Sequence, residues 1–511
     1  MRKNILIKLC LALAMLMIMT STTQAQLVTT EEAFTVAENW IKIIINRYGS
    51  WGDYPEAEVV LVYEFTRNEH PLAYYCQVAP QGFIIVSLFK CLDPVKAYSE
   101  TTTLNPFIDQ GLTDLIKLKI ERVHSIIQQD FGIDPHLLQG QQVTQIFESD
   151  PRPAWDALIN PYFDASAYQL LEYSAAGCDY QEGQVLLNSS WHQRPPYNDD
   201  CPADGCAWPA YGNFNTRTRV GCVATAGAQI MRYWCWPPYG SGSPYSDTYD
   251  WPNMHLRYVY DGAGWFNDQN GNPVSWTDIN AVAELNYEVG LAVDMSWGCG
   301  SSSADTYDME DVYEDHYRYA TYCDRIDRDD YTATNWFNTL KNDFNQNQPI
   351  QYRVEGHSIV ADGWREIYIN TVFTRQYHMN YGWDSGENTW WTLDTLLYGG
   401  ESKEYVVRKI CPNVALGATL SGTYGRNIDF NYRYFNRDCS GSDVVFNQGQ
   451  NLQVLKSLLT ITGTGENGVK FLGSTGYTTR IFIGDDENGT DRINIYNGAI
   501  KLHSGGQILF K

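Results

Sequence analysis

Two periodicities divide the chain. In some stretches apolar residues return every three or four positions, which marks one face of a helix. In others they return every second position or run together, which marks a strand. Ala33, Val36, Ala37, Trp40 and Ile41 follow Thr29-Thr30-Glu31-Glu32. Thr29 and Glu32 have the spacing of a capping box, so a helix is predicted to start there. Leu112 to Phe131, Asn280 to Leu291 and Asp330 to Asn345 carry the helical period, the last with Trp336, Leu340 and Phe344 on one face. The stretch Gly221 to Pro238 reads GCVATAGAQIMRYWCWPP, with Val223, Ala226, Gly227, Ile230, Met231 and Trp234 on one face. Pro237 and Pro238 end this helix, because proline lacks a donor N–H and clashes with the preceding turn. Cys222 therefore falls at or near the first helical position.

Strands are predicted at Glu58 to Phe65, Ala73 to Val78 and Gly82 to Ser87, and again at 349–354, 358–364, 377–381, 390–393 and 405–409. Between these blocks, residues 136–183 show weak periodicity and carry Pro151, Pro153 and Pro161. They read as an exposed connection, the kind of segment a processing protease cuts, here between about Ser149 and Glu182. Residues 412–511 break into short apolar runs such as LLTITGTGENGVKFLG and RIFIGDDENGTDRINIY, separated by Gly, Asn and Asp. That pattern is all-β, either a sandwich or a β-solenoid. The expected fold class is α+β: a small α+β unit at 26–135, a connection at 136–183, a second α+β domain at 184–411 and an all-β domain at 412–511.

Composition narrows the function classes. A chain of 511 residues exceeds one ordinary core, and 44% apolar with 14% aromatic residues marks it as globular. The net charge of −24 excludes nucleic acid as a partner, since phosphate binding needs a basic footprint. Arg2, Lys3 and Lys8, the apolar run Leu9 to Met19 and the small-x-small Thr23-Gln24-Ala25 form an export signal over residues 1–25. No later run approaches the ~20 apolar residues of a membrane span. The expected location is secreted, extracellular or cell-surface. Twelve cysteines are present, and loss of Cys10 with the signal leaves an odd number. Cys201 and Cys206 lie close in CPADGC and can bridge. A zinc knuckle there lacks a second CxxC or a histidine pair.

Cys222 carries the candidate chemistry. Free N–H groups and the positive end of the helix dipole favour a thiolate at a helix start. The alternative is a buried structural cysteine. A thiolate nucleophile also needs a base that later protonates the leaving group, a group that orients the base, and donors for the oxyanion. His357, in EGHSIVADGW, stands before an apolar strand, with Gly356 leaving space beside it. His378, in RQYHMNYGWDSG, is its rival. Asn380 can orient the imidazole through its side-chain carbonyl, with Tyr381 or Trp383 shielding that bond, and Asp362 is a weaker orienter. Gln193, in SSWHQRPPYN, can add an oxyanion amide to the N–H of Cys222.

GCVATAGAQIMRYWCWP, WHQRPPYN, GHSIVADG and HMNYGW followed by WWTLDTL together resemble the streptopain family of secreted bacterial cysteine proteases. The resemblance runs from about residue 28 to 410. It implies a papain-like fold at 184–411 and an inhibitory propeptide at 26–135. By carry-over Cys222 is the nucleophile, His357 the general acid/base and Gln193 an oxyanion donor. Asn380 and Trp383 match the family's HxNWGW segment, and Ser302 and Gly356 match positions beside the substrate backbone. The sequence departs at Tyr381, where the family has Trp, and at Asp384-Ser385-Gly386, where glycines are usual. Expected partners are protein or peptide substrates and the chain's own propeptide; no cofactor and no metal is called for. The competing readings are a non-catalytic binding protein on a protease scaffold and an enzyme passing the acyl group to an amine.

Overall fold

The computed structural model describes residues 27–411, apart from 131, 133–142, 169–181, 238, 347, 385–386 and 397–402, together with the strands between Thr423 and Phe510. The expected export signal and residues 169–181 of the expected connection lie outside the described residues.

Helix α1 (Thr30–Tyr48) begins at the predicted capping box, with Glu32 N donating to Thr29 Oγ1 at 3.2 Å and Thr29 N to Glu32 Oε2 at 3.0 Å. Its buried face, including Ala33, Val36, Ala37 and Trp40, packs on one side of an antiparallel sheet. That sheet is built from β1 (Glu58–Arg67), β2 (His70–Ala79), β3 (Phe83–Ser87) and β4 (Val95–Ser99). Helix α2 (Gly111–Asp130) also packs on β1 and β2. Strand β4 is absent from the sequence reading because Lys96 sits in the middle of its short apolar run; every residue of it is buried, Lys96 included. Helix α3 (Arg152–Leu158) changes the expected domain plan. Ala154, Trp155 and Leu158 are buried in the N-terminal core, and Trp155 Nε1 donates to Leu92 O at 2.8 Å. Pro151 and Pro153, read as marks of an exposed connection, instead open this helix, where a missing N–H costs nothing.

The larger domain contributes a hairpin, β5 (Tyr258–Tyr260) and β6 (Phe266–Asp268), and six further strands. These are β7 (Asp324–Asp327), β8 (Ile350–Val354), β9 (His357–Ile369), β10 (Val372–Asn380), β11 (Thr389–Thr392) and β12 (Tyr405–Arg408). The sheet order is β1-β2-β3-β4-β11-β10-β9-β8-β12-β7, so one ten-stranded sheet runs through both units. The join is β4 against β11, with Tyr98 opposite Trp390 and Ala97 opposite Trp391. Partly buried ion pairs cross it: Arg365 to Glu100 at 2.5 Å, Lys119 to Glu404 at 2.9 Å, and Lys96 to Asp394.

Helix α4 (Cys222–Trp234) packs between α5 (Trp276–Ala292) and β9, and α6 (Ala333–Phe344) packs on β8 and β9. The predicted face of α4 is buried as expected. Cys235 adopts φ 48° and caps the helix end, one turn-closing residue before the prolines. Helix α5 starts earlier than its apolar period suggests, because Ser275 and Asp278 form a second capping box.

Between Thr423 and Phe510 the paired strands are parallel. Ile428, Leu452, Ile481 and Ile508 stand in register in one ladder, and Tyr424, Phe446, Phe471 and Leu502 in another. Each chain segment stacks on the one a turn earlier, which is the pairing of a solenoid; a sandwich of sequential hairpins pairs its strands antiparallel.

Candidate active site

Cys222 is the first residue of α4, delivered there by Gly221 at φ +95°. A Cβ at Gly221 would lie 2.7 Å from Met295 Sδ and 3.2 Å from Ser302 Cβ, so both the conformation and the space require glycine. The thiol opens into a cavity of about 450 Å³ whose walls include Gln193, Ser302, Gly356, His357 and Trp383. His357 begins β9, directly after the two-residue turn Glu355-Gly356 from β8. Gly356 takes φ +77°, and nothing lies within 4 Å of where its Cβ would be, so the turn leaves the cavity open.

Burial raises the pKa of the Cys222 thiol, but the His357 charge and hydrogen bond outweigh it, helped by the N–H groups of Ser358 and Cys222 itself. The thiol ends below the ordinary cysteine value. Ser358 N lies 3.5 Å from the sulfur. On its other side, His357 Nε2 lies 2.8 Å from the carbonyl oxygen of Tyr381. A carbonyl only accepts, so Nε2 carries the hydrogen and donates it. That leaves Nδ1 to exchange a proton with the thiol. Trp383 stacks on the imidazole at 4.2 Å between ring centroids and 24° between planes, covering the bond to Tyr381.

The direct Asn380–His357 contact expected from the sequence is replaced by that main-chain carbonyl. The side-chain oxygen of Asn380 accepts from Gly382 N at 3.1 Å and Gln229 Nε2 at 3.2 Å, and its nitrogen donates to Ser189 O at 3.0 Å. It therefore braces the turn that presents Tyr381 O. Gln229, fully buried on α4, was not singled out from the sequence. Its signal was available: it stands seven residues, about two helical turns, after Cys222 in an otherwise small and apolar stretch. His378 is committed elsewhere: its Nδ1 lies 2.6 Å from Asp362 Oδ1, inside the sheet. The side chain of Ser302 folds the loop beneath it, donating to Arg219 O at 2.8 Å and accepting from Gly298 N at 3.0 Å.

The cysteine pairing differs from the expected one. Cys206 bridges Cys299 across 93 residues, while Cys201 is a buried free thiol in the core. Sequence proximity favoured Cys201, but only tertiary folding brings residue 299 to the CPADGC loop. Asp247, Glu284 and Glu288 bring carboxylate oxygens within 4.8 Å of one another. Burial and mutual repulsion push Glu284 up to about 8; burial first, then nearby acids, push Glu288 up to about 7. No described helix is long and apolar enough to cross a membrane.

Residues 191–391 match the Peptidase C10 family. Streptopain from Streptococcus pyogenes is 28% identical over 240 residues, covering 41% of this chain and 56% of that protein. The thiol protease/hemagglutinin PrtT of Porphyromonas gingivalis is 24% identical over 206 residues, covering 39% of this chain and 22% of that one. The chain thus spans little more than half the length of the streptopains it matches. Among solved structures, a prointerpain A fragment from Prevotella intermedia aligns with a TM-score of 0.48 at 20% identity, covering 69% of this chain and 98% of the fragment. Active interpain A aligns with a TM-score of 0.35 at 21% identity, covering 47% and 100%.

Proposed function

We propose that this protein is an exported cysteine endopeptidase made as a zymogen, a reading supported by the match of residues 191–391 to the Peptidase C10 family and by the likeness to streptopain. The observation that carries the reading is the pairing at the cleft. A thiol with a lowered pKa stands at a helix start beside a histidine whose other nitrogen is already committed to Tyr381 O.

The reaction follows from these groups. His357 Nδ1 holds the proton of Cys222, and the thiolate attacks the scissile carbonyl. The oxyanion is met by the N–H of Cys222 and the side-chain amide of Gln193, which faces the same cavity. Collapse breaks the C–N bond, and His357 gives its proton to the departing amine, leaving a thioester on Cys222. Water then surrenders a proton to His357 and attacks the thioester, releasing the acid and restoring the thiol. Ser302 and Gly356 border the path of the substrate backbone, and Trp383 keeps water from the His357–Tyr381 bond.

The zymogen reading rests on the N-terminal unit. Its segment 103–113 helps line a second cavity of about 720 Å³, and Gln193, Arg219, Gly300 and Trp383 border both cavities. The shared sheet and the ion pairs across it support a unit that keeps this segment beside the cleft and acts as an intramolecular inhibitor until it is cut away. The test is alkylation by iodoacetamide after removal of the N-terminal unit. It should label Cys222 selectively and stop hydrolysis of casein; full activity in Cys222→Ala would overturn the reading.

A further inference from the structure

The cleft wall holds a charge that this mechanism leaves unused. Although the chain carries a net charge of −24, the cavity around Cys222 is bordered by Arg219 and Arg353 and by no carboxylate among the described residues. Arg353 is engaged: its guanidinium donates to Lys403 O at 3.2 Å, and its charge acts on Asp305. Arg219 is held differently. Its N–H donates to Gly298 O at 3.1 Å, its Nε to Cys299 O at 3.0 Å, and its guanidinium lies 5.1 Å from the centre of the Trp208 ring.

These contacts fix the stem and the plane of the guanidinium, and the Cys206–Cys299 bridge ties down the loop that holds it. None of them is a carboxylate. Burial works against the cation, and so does the neighbouring Arg194. A guanidinium stripped of part of its water and given no counter-ion among the described residues is a poor structural element. It is a good receptor, because its planar fork is ready for a carboxylate and little freedom is lost on binding.

Arg219 borders both the cavity of Cys222 and the one beyond Gln193 and Trp383, so it stands where the two meet. In the second cavity Arg257 is paired with Asp384 at 2.8 Å, and burial raises the pKa of Glu387. Neither carboxylate is an ion-pair partner of Arg219.

We propose that Arg219 binds the side-chain carboxylate of an Asp or Glu flanking the scissile bond, making acidic peptides the preferred substrate class. The proposal rests on the peptidase reading above. Its test uses enzyme matured from the full chain and matched quenched-fluorescence peptides that place Asp or Glu, Asn or Gln, or Lys at each flanking position. Acidic peptides should exceed their amide counterparts in kcat/KM by about tenfold or more, and salt should shrink that ratio. Arg219→Gln should bring the ratio near one, and Arg219→Glu should shift preference toward Lys. If the variants fail to fold, the salt dependence of the wild-type ratio still decides. Hydrolysis of casein and of the amide peptides without an acidic preference would overturn this assignment alone. No hydrolysis of casein or any peptide would overturn the peptidase reading, and this one with it.

Discussion

Replacing Asn380 by Ala separates bracing from direct catalysis. Asn380 and Gln229 exchange side-chain hydrogen bonds at 3.2 and 3.3 Å, with Asn380 2% and Gln229 0% exposed. Truncation would leave the Gln229 amide N–H, the Gly382 N–H and the Ser189 carbonyl each short of a partner, with little access to water. At about 1–3 kcal/mol for a buried group left unsatisfied, and with partial relaxation, the loss is about 2–6 kcal/mol. Urea unfolding would measure it. Because Gly382 N no longer anchors the turn, Tyr381 O would drift from His357, so kcat should fall with little change in KM. A double-mutant cycle with Gln229→Ala should give strong coupling, since both side chains serve one network. If Asn380→Ala lost activity at unchanged stability and without coupling to Gln229, Asn380 would act on the imidazole itself, and the bracing argument would be wrong.

Other outcomes follow from the same geometry. In His357→Ala the thiol loses the charge and hydrogen bond that lower its pKa while burial remains, so the pH midpoint for alkylation of Cys222 should move upward; an unchanged midpoint would contradict the assigned pairing. Gln193→Ala should reduce kcat by about 10²–10³-fold with KM little altered, as for other lost oxyanion donors, in steady-state kinetics on one peptide. Cys299→Ser opens a loop of 93 residues, for which chain entropy gives about 4–5 kcal/mol of lost stability, readable as a lower urea midpoint in the absence of reductant.

Much of this protein was legible along the chain. The capping box at Thr29, the buried face of α4 and the place of Cys222 at its start are local: each depends on residues within one or two turns, so spacing suffices to read them. Parts of the long strands were legible for the same reason, but residues 365–369 of β9 and 372–376 of β10 were not. β4 was not, because a buried lysine breaks its pattern; that lysine pairs across the sheet with Asp394 and also lies in the field of Asp93. Residues 152–158 looked like a connection because proline counts as a breaker in sequence, whereas its place in the first helical turn emerges only when the helix exists. By itself the sequence determined which residue types meet at the site, since thiol, imidazole and amide must all be supplied whatever the fold. The tertiary structure alone decided which atoms touch. It set the Tyr381 carbonyl on His357, left Asn380 to brace the turn behind it, paired Cys206 with Cys299, and placed Arg219 in the wall of the Cys222 cavity, where no described carboxylate stands. Those contacts join residues far apart in the chain, and hydrogen-bond partners within about 3 Å are chosen by packing, which no local spacing encodes.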